Sequence, residues 1–121
     1  MLRKLTLTVS LSVVLGGATG QTAQASSITS NYKAAFRAVC FYFKSDCATA
    51  MRIVKCETGG TYTPWSANGQ YLGIFQMGSS ERARYGHGNN VWAQAKAAYA
   101  YYRDAGGFGP WLNYEPPGCG T

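Results

Sequence analysis

Acidic residues are scarce in this sequence. Its 121 residues include five Asp and Glu against eleven Lys and Arg. With so few carboxylates, each one can be asked what it does. Histidine is scarcer still, since His87 is the only one. The four cysteines contain no CxxC pair, which excludes the usual tetrahedral zinc spacing. No metal and no cofactor is implied. Runs of Lys or Arg are also missing, which argues against a nucleic-acid partner. Beyond the first 25 residues there is no apolar stretch long enough to cross a membrane. Internal repeats and low-complexity segments are absent as well.

What is present begins with an export signal. Arg3 and Lys4 form a basic start, residues 5–18 are mostly apolar, and Ala23-Gln24-Ala25 has the small-x-small form of a cleavage site. Residues 1–25 therefore read as a secretory signal peptide, residues 26–30 as a polar leader, and residues 31–121 as one small domain. The expected location is outside the cell, associated with the wall, as a monomer. Removing Arg3 and Lys4 lowers the formal charge of +6 by two. The remaining basic balance suits an anionic target such as a cell wall.

An even cysteine count in an exported chain suggests two disulfides. Cys40, Cys47, Cys56 and Cys119 allow three connectivities. The favoured one is Cys40–Cys47, closing a helix–helix corner, with Cys56–Cys119 tying the chain end to the "CETGG" turn.

Hydrophobic spacing predicts a mainly helical chain with a minor hairpin, an α+β outline. Tyr32, Ala35, Phe36, Val39, Cys40 and Phe43 mark a first helix, capped by Ser30 or Asn31. Lys44-Ser45-Asp46 breaks it, and Ser45 or Asp46 can cap a second. Cys47, Ala50, Met51 and Val54 share a face of that second helix, and Gly59-Gly60 ends it. "PWSANGQYLGIFQ" then reads as a short irregular hairpin turning at Asn68-Gly69. Ser79 or Ser80 caps a short helix with Glu81 in its first turn. Asn89 or Asn90 caps the last one, whose Val91, Gln94, Ala95, Ala98, Tyr99 and Tyr102 share a face.

Glu57 is the acid in the least expected place. A helix C-terminus carries partial negative charge, and Ile53 and Val54 add apolar surface beside it. Both influences raise a carboxyl pKa. A carboxylic acid that keeps its proton near neutral pH is what a general acid needs, and glycoside cleavage is the reaction that most needs one. The hairpin offers an opposite wall, with backbone at Gly73 and an amide at Gln76. Aromatic residues make up 14% of the chain. Trp65, Tyr71, Tyr99, Tyr101, Tyr102 and Trp111 could supply flat faces for sugar rings, although Tyr99 and Tyr102 fit a core role better. Gln94, on an otherwise apolar face, needs partners that a cleft would provide.

Taken in order, "IVKCETGG", "ANGQYLGIFQMGSS", "WAQAKAAYAYY", "GPW" and a final Cys resemble the lysozyme-like lytic transglycosylases. The small exported actinobacterial type and the resuscitation-promoting factor domain are the nearest in pattern. The resemblance spans residues 51–119. It implies a compact lysozyme-like fold, stapled by disulfides, and peptidoglycan glycan strands as substrate. It assigns Glu57 as the catalytic acid and Tyr71, Gln76, Ser80 and Gln94 to the glycan groove. A Cys56–Cys119 pair agrees with the family's habit. Thr58 stands where the family often has Ser, and Glu81 where it commonly has an aromatic residue. Of the other acids, Asp46 and Asp104 sit at helix ends and Glu115 in the tail. Only Glu81 is near the groove in sequence order. The expectation is therefore a single-acid lytic transglycosylase, with a hydrolysing muramidase or a non-cutting wall-binding module as alternatives.

Overall fold

A computed structural model describes residues 27–113. The expected signal peptide, residues 1–25, lies outside the described residues, as do Ser26, Glu115 and Cys119. Helix α1 covers 27–43 and runs into a single 3-10 turn, Lys44–Asp46. Helix α2 is Cys47–Glu57. Strands β1 (Ala67–Asn68) and β2 (Tyr71–Leu72) form one antiparallel hairpin, pairing Ala67 with Leu72 and Asn68 with Tyr71. Helices α3 (Ser79–Tyr85), α4 (Val91–Ala105) and α5 (Gly109–Leu112) follow. The mainly helical α+β outline with a minor hairpin is what the structure has.

Some boundaries differ from the expectation. The expected leader is already helical from residue 27, so Ser30 and Asn31 lie inside α1 rather than capping it. Asn31 instead donates from Nδ2 to the Thr61 carbonyl at 3.3 Å, tying α1 to the loop after α2. Asp46 is the N-cap residue of α2 but makes no capping bond. Its carboxylate accepts from the Tyr102 hydroxyl at 2.6 Å, joining the α1–α2 corner to α4. Gly78, not Ser79 or Ser80, is the N-cap residue of α3. Asn90 caps α4 as expected, accepting from the Ala93 amide at 3.0 Å. Gly106, at φ +77, takes the left-handed turn that ends α4.

The core lies where α1, α2 and α4 meet the segment after the hairpin. Phe43 is its centre. Its ring stacks on Phe75 at 5.6 Å and on Phe108 at 5.7 Å, with Tyr99 and Tyr102 edge-on at 5.3 and 5.2 Å. Val39, Ile53, Val54, Ile74, Ala95 and Ala98 fill the space around it. Tyr99 and Tyr102 thus pack against the core, as their spacing suggested. The buried stripe of α1 is rotated from the expected one. It runs through Ala35, Ala38, Val39 and Phe43, and leaves Tyr32 and Phe36 largely exposed. Those two stack on each other, and Tyr62 meets Tyr32 edge-on. The Cys40–Cys47 disulfide closes the α1–α2 corner, with the two Cα atoms 4.8 Å apart. The expected second pair involves Cys119, outside the described residues. Among those residues there is no free cysteine.

Candidate active site

Glu57 is the last residue of α2 and is half-buried. The chain turns away directly after it. Gly60 donates to the Lys55 carbonyl at 2.8 Å, and Gly59 and Gly60 both have positive φ. Thr58 locks this turn from inside. Its hydroxyl donates to the Val54 carbonyl at 2.8 Å and accepts from the Tyr62 amide at 3.0 Å. The acid therefore stands on a rigid helix end, not on a loose loop.

The hairpin is held by side chains that bond to backbone. Leu72 and Met77 exchange two backbone bonds, at 3.2 and 3.1 Å, and close the loop 73–76. Gln76 sits in that loop at φ +47, an unusual conformation for a residue with a side chain. Its Nε2 donates to the carbonyls of Ser66 (2.8 Å) and Gly73 (3.0 Å), which holds that conformation in place. With both amide hydrogens used, Gln76 has its Oε1 acceptor to offer a ligand. Arg82 reaches from α3 to the carbonyls of Gln70, at 2.8 Å, and Met77. This ties the residue before β2 and the Met77 that pairs with Leu72 to the helix.

Gln94 is the strongest of these latches. Its Oε1 accepts from the Ile74 amide at 2.9 Å, while Nε2 donates to the carbonyls of Gly88 (2.8 Å) and Pro64 (3.1 Å). Gln94 is 1% exposed. A Cβ at Gly73, which has φ +89, would lie 2.8 Å from Gln94 Oε1 and 2.9 Å from His87 Cε1. Glycine is what lets the loop approach the amide so closely. His87 is wedged at the same spot, and its Nε2 is buried without a hydrogen-bond partner. Burial, and secondarily the charge of Arg82, push the His87 pKa below its ordinary 6.5.

These elements enclose a cleft of about 520 Å³. Glu57, Gln76 and Tyr71 line it, together with Asn68, Tyr101 and Trp111. So does Glu81, from the first turn of α3. Trp111 is 4% exposed and fixed by a 2.9 Å bond from its Nε1 to the Phe75 carbonyl. It serves as a floor rather than a free platform. Trp65 is exposed and is not on the lining.

Two expected groove residues are elsewhere. Ser80 is exposed on α3, off the lining. Gln94 is also off the lining, because its amide is consumed by backbone. Asn68 and Tyr101 enter instead. Asn68 shows in the sequence only as a turn residue, and Tyr101 only as one aromatic among several. A second hollow, lined by Arg84, Tyr85, Ala100, Arg103 and Asp104, is the poorer candidate. Its one carboxylate is already bonded by Arg84 at 2.9 Å and by the Tyr85 hydroxyl.

Among the described residues no helix is long and apolar enough to cross a membrane. Nor do three or more His, Cys, Asp or Glu gather there as a metal site would require. Compared with family models, with curated proteins and with solved structures, the chain matches none of them.

Proposed function

We propose that this protein cleaves the glycan strand of peptidoglycan at the β-1,4 bond between N-acetylmuramic acid and N-acetylglucosamine, with Glu57 as the proton donor. The observation that carries this reading is the shared cleft of Glu57, Gln76, Tyr71 and Tyr101. Its volume lies within the range of roughly 300–1,000 Å³ usual for ligand sites. An acid on a rigid helix end, an acceptor amide and aromatic rings suit a neutral, hydroxyl-rich and N-acetylated ligand. The order of motifs along the chain supports the same substrate.

Glu57 gives its proton to the glycosidic oxygen. The bond from C1 to that oxygen breaks, and the electron pair leaves with the oxygen. The substrate's own N-acetyl carbonyl steadies the cationic sugar. Acting alone, Glu57 then takes the proton of the sugar's 6-hydroxyl as that oxygen bonds to C1. A 1,6-anhydro ring closes and Glu57 is protonated again, which is the lytic transglycosylase route. If water attacks C1 instead, the enzyme is a muramidase. One observation favours this second route: Glu81 lines the same cleft.

The test is digestion of purified peptidoglycan by the oxidised protein and by Glu57→Gln. The wild type is expected to release muropeptides, and the variant to release none while melting at the same temperature. Substantial cutting by Glu57→Gln would remove Glu57 from its role. Binding without any release by the folded wild type would make the protein a wall-binding module.

A further inference from the structure

We propose that Glu81 is a second catalytic carboxylate in the cleft, the base that takes a proton from the attacking water. This rests on the glycan-cleavage reading above and selects hydrolysis as its outcome.

The ordinary role for an acid in the first turn of a helix is capping. At the third helical position Glu81 could accept from the backbone N–H of the N-cap residue, Gly78. That bond is not made. Among the described residues the Glu81 carboxylate accepts no hydrogen bond and forms no ion pair. Its carboxylate lies over Gly78 instead. A Cβ at position 78 would be 2.6 Å from Glu81 Oε1 and 3.5 Å from the Tyr71 ring. Gly78 is at φ −72 and ψ 168, a conformation open to any residue, so backbone strain does not demand glycine there. What occupies the vacant side-chain space is the Glu81 carboxylate, beside Tyr71 and facing the cleft that Glu57 lines.

No Lys, Arg or His lines this cleft among the described residues. Glu81 is therefore not held there as the partner of a cation. Two carboxyl groups line one cleft from separate helices, and a pair of carboxyl groups is what glycoside hydrolysis uses. In the step proposed, Glu57 protonates the leaving oxygen while water attacks C1. Glu81 accepts one proton of that water as the new C–O bond forms. The products are a free hemiacetal and a free alcohol, with Glu57 left ionised and Glu81 protonated. Exchange with solvent restores both.

Two variants test this, Glu81→Gln and Gly78→Ala. In the second, the new methyl group displaces the flexible Glu81 carboxylate without straining the backbone. Digests of purified peptidoglycan are read by mass spectrometry for hydrated and anhydro ends, alongside thermal melting. The wild type is expected to give hydrated ends. Glu81→Gln should lower their yield roughly 100-fold, the usual worth of a general base, so that residual cutting gives mainly anhydro ends. Gly78→Ala should shift the ratio in the same direction, by less. Unchanged rate and product ratio in Glu81→Gln would overturn the proposal. So would equal loss of both products with a lowered melting temperature, which marks a structural role, or a wild type that makes only anhydro ends. A folded wild type that releases nothing would overturn the cleavage reading itself.

Discussion

The two sides of this small domain are held together by opposite means. On the core side, α1, α2 and α4 close over Phe43 and Phe75, and almost everything buried is hydrocarbon or aromatic. On the cleft side, the residues of β1 and β2 are exposed or only half-buried. Polar side chains lash their backbone in place: Thr58 at the end of α2, Gln76 within the loop, Arg82 from α3 and Gln94 from α4. A helix satisfies its own backbone, so it needs only an apolar stripe to dock. An irregular segment of two-residue strands cannot do so, and its carbonyls and amides must find side-chain partners or stay wet. The catalytic reading depends on this second kind of order, since Glu57, Gln76 and Glu81 are brought to one cleft by it.

The sharpest way to separate the two sides is to remove one group from each. Glu57→Gln is the largest expected effect. Cleavage should fall by at least roughly 1,000-fold, read from muropeptide release, with the melting temperature unchanged. Loss of activity together with loss of fold would mean that Glu57 belongs to the scaffold.

Next come Phe43→Ala and Gln94→Ala. Truncating Phe43 leaves a hole among four rings and should cost about 3–4 kcal/mol. Truncating Gln94 strands the Ile74 amide and the Pro64 and Gly88 carbonyls, and should also cost about 3–4 kcal/mol. For a domain of this size either loss corresponds to a drop in Tm of roughly 12–25 °C in a calorimetric scan. The two variants should differ in where they loosen the protein. Hydrogen exchange is expected to accelerate first around residues 64–76 in Gln94→Ala, and across α1 and α2 in Phe43→Ala. Equal exchange patterns would show that the two sides are one cooperative unit.

His87 gives a finer contrast. Its pKa is held below 6.5 by burial and by Arg82, so the unfolded chain binds the proton more tightly than the folded one. That contribution to stability is fully present above about pH 6.5 and is lost as pH falls. Melting temperature should therefore decline between pH 7 and pH 5, and the decline should be shallower in His87→Gln. An identical pH profile in the variant would assign the acid sensitivity to other groups.

Ser80→Ala is the smallest effect. An exposed hydroxyl off the cleft lining should change stability by about 0.5 kcal/mol at most and leave cleavage as it is. A marked loss of activity would return Ser80 to the groove.

The same division explains what could be read from the sequence. The 3.6-residue rhythm located α2 and α4 with their buried faces, Asn90 announced its cap, and Asn68-Gly69 announced the hairpin. The start of α1 and the cap of α3 were not legible. Serine and asparagine favour caps, yet they also sit within helices when another bond is on offer, as Asn31 does with Thr61. Gln94 shows the deeper limit. A polar residue on an apolar face signals a buried amide, but not what it binds. Here the partners are backbone groups 6, 20 and 30 residues distant in the chain, a proximity that no local pattern encodes. Glu81 shows the converse. Its position in a first turn has a sufficient local explanation, and only the space left by Gly78 reveals where its carboxylate goes.

The central claim is that the cleft beside Glu57 cuts glycan strands. The most direct measurement is mass spectrometry of purified peptidoglycan incubated with the oxidised wild-type protein, with Glu57→Gln run in parallel. Muropeptides with newly formed sugar ends, present with the wild type and missing with the variant, are the expected result. Intact strands after exposure to a folded wild-type protein, or equal release by both proteins, would contradict the claim.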